Sequence, residues 1–234
     1  MDMFEDDLYE KMHDVIKEEL EYNKECIRRT WLECSLKFEE KLVSQLSCAA
    51  EWGRYGWTVA PDATIDDYAT IPLSQEEADN QLSPKSLSES VSTIFKELKN
   101  SKCLNQDDID ELITLYEKGF FKSCAMLLFS LIESLLINRN PHNTVGTTAS
   151  TGKRAFSEAT NTINRDARSF LAFNLSTCET AFGKVWERID WGDDSETINR
   201  HLLMHGLYLH KVEKTDCIKL LLLYDNLLYC FNEL

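Results

Sequence analysis

Two of the chain's five histidines fall four positions apart in the segment Asn199-Arg200-His201-Leu202-Leu203-Met204-His205-Gly206. On a helix, residues at that spacing are about 400° apart, so the imidazoles of His201 and His205 share a face. Arg200 sits beside that face, and Leu202 and Leu203, with Met204, turn inward as anchors. Three chemistries fit. The first is a polar helix end satisfied by its own hydrogen bonds. The second is a metal held by the histidine pair, although no nearby Glu-x-x-His or Cys supplies further ligands and Arg200 is an unwelcome cation. The third is work on a phosphodiester. RNA carries its own nucleophile, the 2′-hydroxyl, so a site needs only a group to move protons and a cation for the phosphorane. Histidine titrates near neutrality and arginine offers a planar fork to phosphate oxygens. No other stretch combines catalytic residue types so closely. No phosphate loop, nucleotide-binding glycine pattern or nucleophile elbow is present.

The elements that must position this segment read as helices. Apolar residues recur at helical spacing across residues 3–50, from Leu8, Met12 and Val15 to Trp31, Phe38, Leu42 and Leu46. Residues 52–84 break the pattern and hold three of the four prolines. They read as a structured connector with a short extended piece at Trp57–Ala60. Its aromatics Trp52, Tyr55 and Trp57 are expected to pack onto the helices, the sharper alternative being an exposed platform for a base or peptide. Helical spacing returns over Ser86–Lys99 and over Asp108–Lys118, capped by Asn105 or Asp107 and ended by Gly119. Phe120–Arg139, apolar around most of its circumference, is the expected central helix. After the polar loop Asn140–Gly152 come helices at Lys153–Arg165 and Ala167–Ile189. A short helix starting at Ser195 includes Asn199–His205, and a last one runs from Thr215 or Asp216 to about Asn232. The fold class is all-α, a bundle of helices.

Composition narrows the function. The chain has 234 residues, with 8 Gly and 4 Pro, too few turn formers for an all-β protein. Its formal net charge is −15, so it does not read as a general nucleic-acid binder. The charge is uneven: residues 1–152 carry net −13 and residues 153–234 only −2. Residues 139–168 carry Arg139, Lys153, Arg154, Arg165 and Arg168 against Glu158 and Asp166, a net of +3. If they gather beside the histidines they make a phosphate-guiding rim, and with Asn199 they are the substrate-binding candidates. The alternative is scattered surface charge. None of the eight cysteines forms a Cys-x-x-Cys pair, which speaks for buried reduced thiols rather than zinc or redox chemistry. The acidic N-terminus is not expected to act as a signal peptide, and no apolar run is expected to reach the ~20 residues of a spanning helix. The expected location is the cytoplasm, with no membrane partner.

Arg200-His201-x-x-x-His205 resembles the Arg-x(4–6)-His signature of the HEPN superfamily of helical proteins, in which a polar residue often follows the arginine. Gly206, the final CIKLLLLYDNLL helix and the Tyr116-Glu117-Lys118-Gly119-Phe120-Phe121 turn leading into a helix bearing Glu133 are similar too. The likeness covers residues 86–234. Residues 1–85 fall outside the likeness and stand as an additional N-terminal helical region. The resemblance implies a four- to five-helix bundle. It implies an endoribonuclease that needs no metal or other cofactor, acting as a toxin or anti-phage effector. It implies a homodimer in which two such segments face each other across a cleft, with RNA as substrate and an antitoxin or sensor protein as partner. Carried over, Arg200 holds the scissile phosphate, His205 is the acid/base and His201 assists. Some members have lost catalysis, so a non-catalytic interaction or scaffold module is the standing alternative. A solvent-open cleft at the motif favours the nuclease, and burial of His205 in the core favours the scaffold.

Overall fold

The computed structural model describes residues 44, 47–144, 148–163, 170–190 and 192–231. The chain divides into two compact units, Met1–Ser44 and Gln45–Leu234. Of the first only Ser44 is described, so the expected helices before residue 44 lie outside the described residues, as do Arg165 and Arg168. The second unit holds everything that follows.

Among the described residues every regular element is helical and none is a strand. After helical residues 47–53 come α1 (Gln75–Gln81), α2 (Ser88–Asn100), α3 (Gln106–Glu117), α4 (Phe121–Arg139), α5 (Gly152–Thr160), α6 (Phe170–Val185), α7 (Arg200–Met204) and α8 (Lys214–Cys230). The central pair is α4 against α8. Helices α3 and α5 flank α4, α6 flanks α8, and α7 lies on α4. Helix α4 buries Cys124, Ala125, Leu128, Phe129, Ile132, Leu135 and Leu136, and α8 is buried over nearly all its length. Its 19 residues and mean hydropathy of 1.5 do give α4 the length and composition of a membrane span, contrary to the expectation from sequence. Its contacts with α3, α5, α7 and α8 mark it as the core helix of this bundle.

The aromatic cluster of the connector packs inward. Trp52 and Trp57 are fully buried, and each finds an acceptor for its indole N–H: the Thr70 carbonyl at 3.0 Å and Asp79 Oδ1 at 2.8 Å. An open platform for a base is thereby excluded. The segment 57–60, expected to be extended, forms no strand among the described residues. Side chains satisfy it instead: Asn226 Nδ2 donates to the Val59 carbonyl at 2.7 Å, and the Tyr68 hydroxyl donates to the Thr58 carbonyl at 3.1 Å. Gly53 permits a close approach here. A Cβ at that position would stand 2.6 Å from Thr180 Cβ on α6.

Several boundaries differ from those read in the sequence, for local reasons. Helix α1 falls inside the expected connector; it buries only Ala78, so it shows no apolar periodicity, and its start rests on Ser74 Oγ accepting from the Glu77 amide at 3.1 Å. Helix α5 stops at Thr160, where the Thr160 and Thr162 hydroxyls bond the Phe156 and Ala159 carbonyls at 2.8 and 2.7 Å and turn the chain. Helix α6 stops at Val185 because Trp186 is drawn into a stack on Phe182, with centroids 4.2 Å apart, and against Phe129 at 5.0 Å. Ser195 begins no helix; α7 is five residues long and starts at Arg200.

Candidate functional site

The Arg200–His205 segment is held from beneath by Asn199. That side chain is fully buried: its Oδ1 accepts from the Leu202 amide at 3.1 Å, capping α7. Its Nδ2 donates to the Glu187 carbonyl at 3.0 Å, satisfying the frayed end of α6. With both ends of the amide in use, Asn199 positions the helix rather than meeting a substrate. Leu202 and Leu203 are buried anchors, as their spacing implies, whereas Met204 turns outward. Gly206 adopts a φ of +72° and closes the helix just beyond His205.

The strap leading into α7 is fastened to α1. Thr197 Oγ1 donates to Gln75 Oε1 at 2.7 Å, and Gln75 Nε2 donates to Asp79 Oδ1 at 2.9 Å. Asp79 Oδ1 also meets Lys219 Nζ at 2.7 Å, and that ammonium lies 5.1 Å from the centre of the Trp57 ring. Lys219 is only 2% exposed, and burial pulls its pKa below the usual lysine value while Asp79 pushes the other way. One buried network thus ties the connector, α1, α8 and the strap together.

The two imidazoles do share a face. Their centroids are 4.7 Å apart at an interplanar angle of 65°. His205 is exposed, and His201 is half-buried in the wall of an open cleft of about 400 Å³. Arg188, Asp190, Asp193, Leu207 and the 83%-exposed Leu209 line the rest of that cleft. Arg200 does not project freely. Its Nη2 donates to Glu133 Oε2 on α4 at 2.7 Å, the two side chains being 30% and 18% exposed. Its Nε is buried without a protein partner. Glu133 is the residue that gives Arg200 its orientation, and only the quoted likeness had drawn attention to it; 67 positions separate the two in the chain.

The described basic residues of the segment 139–168 flank one loop. Arg139 ends α4, and Lys153 and Arg154 open α5, so all three lie at the two mouths of one loop. Arg154 is spent locally, its Nε donating to Glu158 at 2.8 Å. Glu158 also accepts from Asn140 Nδ2 at 2.6 Å, and these bonds hold its pKa down to about 2, Arg154 foremost. Lys153 is exposed. Sequence reasoning also missed His210, whose Nε2 meets Asp194 Oδ2 at 2.7 Å. Both lie in irregular chain with no periodicity to link them. The hydrogen bond to Asp194 from the Ser195 amide, and secondarily His210, lowers its pKa.

Among the described residues no group of three or more His, Cys, Asp or Glu side chains is placed to hold a metal ion. Of the described cysteines, Cys124, Cys178, Cys217 and Cys230 are buried free thiols and Cys103 is exposed. Burial, then a hydrogen bond with Cys230, raises the Cys178 thiol well above the ordinary range, and a hydrogen bond with Cys124, then burial, does the same for Cys217, which suppresses the reactive thiolate. The chain matches no family model, no curated protein and no solved structure.

Proposed function

We propose that the chain is an endoribonuclease that cleaves RNA by attack of the substrate's own 2′-hydroxyl. The observation that carries this reading is the exposed His205 ring against His201, in the same short segment as an arginine paired with a carboxylate. His205 lies at the surface rather than in the core, and His201 lines an open cleft. In the reaction, an imidazole takes the 2′-hydroxyl proton as the oxygen attacks phosphorus. The 5′-oxygen leaves with a proton from an imidazolium. The products are a 2′,3′-cyclic phosphate and a 5′-hydroxyl, and no metal takes part. Arg200 stabilises charge on the phosphoryl oxygens, with Glu133 fixing its plane. Two copies of the segment face each other in a homodimer, as the HEPN likeness implies. The same likeness carries the biological setting, a cytoplasmic toxin or anti-phage effector restrained by an antitoxin or triggered by a sensor.

A second reading has its own support. The Arg200 charge is met by Glu133, and the whole chain is acidic, both of which suit a non-catalytic interaction module. Incubation of the purified protein with total RNA in EDTA, beside a His205→Ala control, separates the two. Cleavage lost in the variant supports the nuclease. No cleavage by the unaltered dimer, or equal cleavage by both proteins, removes it.

A further inference from the structure

One cavity in the bundle shares no lining residue with the cleft at His201. It has a volume of about 530 Å³ and lies between residues 59–61, the end of α2, α6 and the last turns of α8. Its apolar walls include Val59, Pro61 and the half-exposed Tyr229 ring. Two polar side chains that line it are more than nine-tenths buried: Asn174 is 3% exposed and Asp225 is 7% exposed. Each leaves its Oδ1 buried without a protein partner. Buried polar groups are paired in the great majority of cases, so orphaned acceptors on two side chains that line one cavity call for a donor that the described residues do not supply. Asn226 cannot supply one from its amide nitrogen, which already donates to the Val59 and Leu222 carbonyls at 2.7 and 2.8 Å. Glu97 stands at the rim.

We propose that this cavity binds a small organic cation, a primary ammonium or amidinium on an apolar body, with the charged donor between Asp225 and Asn174 and the body against Val59, Pro61 and Tyr229. The volume falls in the range of small-molecule sites. A bare metal ion is the poorer fit, because the walls are largely apolar and no cluster of three ligating side chains exists among the described residues. The Tyr229 ring adds a face to which a cation is attracted. Burial, with a smaller contribution from Glu97, pushes the Asp225 carboxyl up to about 7, which is the behaviour of a carboxylate whose counter-charge is missing. The site is independent of the proposed RNA chemistry.

The test is calorimetric titration of the full chain at pH 8 with phenethylamine and, separately, with its neutral analogue 2-phenylethanol. The amine is expected to bind at least about tenfold tighter than the alcohol, the weight of one hydrogen bond to a charged group. Asp225→Asn is expected to erase that preference, and Glu97→Gln to reduce it by a smaller factor. Should Asp225→Asn not fold, Asn100→Trp at the exposed mouth serves as the variant, since its indole blocks entry and is expected to abolish binding. Equal affinity for amine and alcohol, no saturable heat with millimolar amine, or undiminished binding in the folded variant each overturns the proposal.

Discussion

Asp79→Asn is expected to cost far more stability than Lys219→Met, although the two side chains form one ion pair. Lys219 is 2% exposed, while the Asp79 side chain keeps 32% of its surface. Removing the carboxylate leaves a buried ammonium with the Trp57 face and the weaker attraction of Asp216, and breaking a buried pair from that side typically costs about 3–5 kcal/mol. The loss has a ceiling, because a stranded lysine can shed its proton. Moving from its ordinary value to pH 7 takes about 3.5 pK units, or roughly 5 kcal/mol. Removing the lysine instead leaves a carboxylate that water reaches and that still accepts from Trp57 Nε1 and Gln75 Nε2. The methionine fills the same space, so the expected cost is within about 1–2 kcal/mol. The double variant Asp79→Asn/Lys219→Met is expected to recover most of the Asp79→Asn loss. Urea titration followed by circular dichroism at pH 7 reads all three. In a chain of this size the Asp79→Asn loss corresponds to a fall in Tm of about 10 °C. A loss below about 1 kcal/mol in Asp79→Asn, or a double variant no better than the single, would show that Lys219 is not held as a buried cation and refute the reasoning.

Arg200→Ala and His205→Ala are each expected to lower RNA cleavage by at least about 10²–10³ with an unchanged helical spectrum, and His201→Ala by less. End-group analysis of the products in EDTA checks the chemistry. A strict need for a divalent ion would show the wrong mechanism. Glu133→Gln is expected to reduce kcat with little change in KM, because Glu133 orients Arg200 without touching RNA; steady-state kinetics on a short oligonucleotide read the split, and a pure KM effect contradicts it. Gly53→Ala is expected to lower stability by about 1–3 kcal/mol, since its Cβ would stand 2.6 Å from Thr180 Cβ, and a thermal melt checks this. Asp225, whose carboxyl is raised to about 7, faces Glu97 on α2 and Cys178 on α6. A folded pKa above the unfolded value of about 3.9 gives stability that is full at low pH and lost as pH rises through about 7. The wild-type protein is therefore expected to gain about 2.5 kcal/mol between pH 8 and pH 5, and a melt series in which Asp225→Asn shows the same slope refutes the assignment.

The parts of the fold that were legible in the sequence are those whose burial follows a helical period. Val91, Ile94 and Leu98 on α2, or Ile109, Leu112 and Ile113 on α3, repeat every three or four residues and sit on one buried face. Helix α4 lacks a clean stripe, and that lack was itself the signal for a central position; α8, its partner, is likewise buried over nearly all its length. What was not legible was set by side chains that act across long sequence separations. Helix α1 buries a single alanine, so its polar sequence resembles a loop. The end of α6 is fixed by Trp186 stacking on Phe182 and contacting Phe129, and that partner lies on another helix.

At the candidate site the same division holds, and it bears on how so acidic a chain could act on RNA. The histidine pair was legible because a four-residue spacing is a local property of a helix. The state of Arg200 was not, since its partner Glu133 lies 67 positions away. That pairing changes what the arginine contributes. Paired with a carboxylate, it adds little long-range attraction for a polyanion, so Arg200 is suited to short-range hydrogen bonding and not to steering. Steering would then fall to cations outside the pair. Among the described residues, Arg154 is engaged by Glu158, while the exposed Lys153 on α5 and the exposed Arg188 in the wall of the cleft are cations placed to guide the polyanion. A nuclease built this way gains its rate from a preoriented site once RNA has arrived, and little from the approach itself. Its cleavage at saturating RNA therefore depends on Glu133 and Arg200, while the salt dependence of kcat/KM stays shallow, because few phosphates are neutralised on binding.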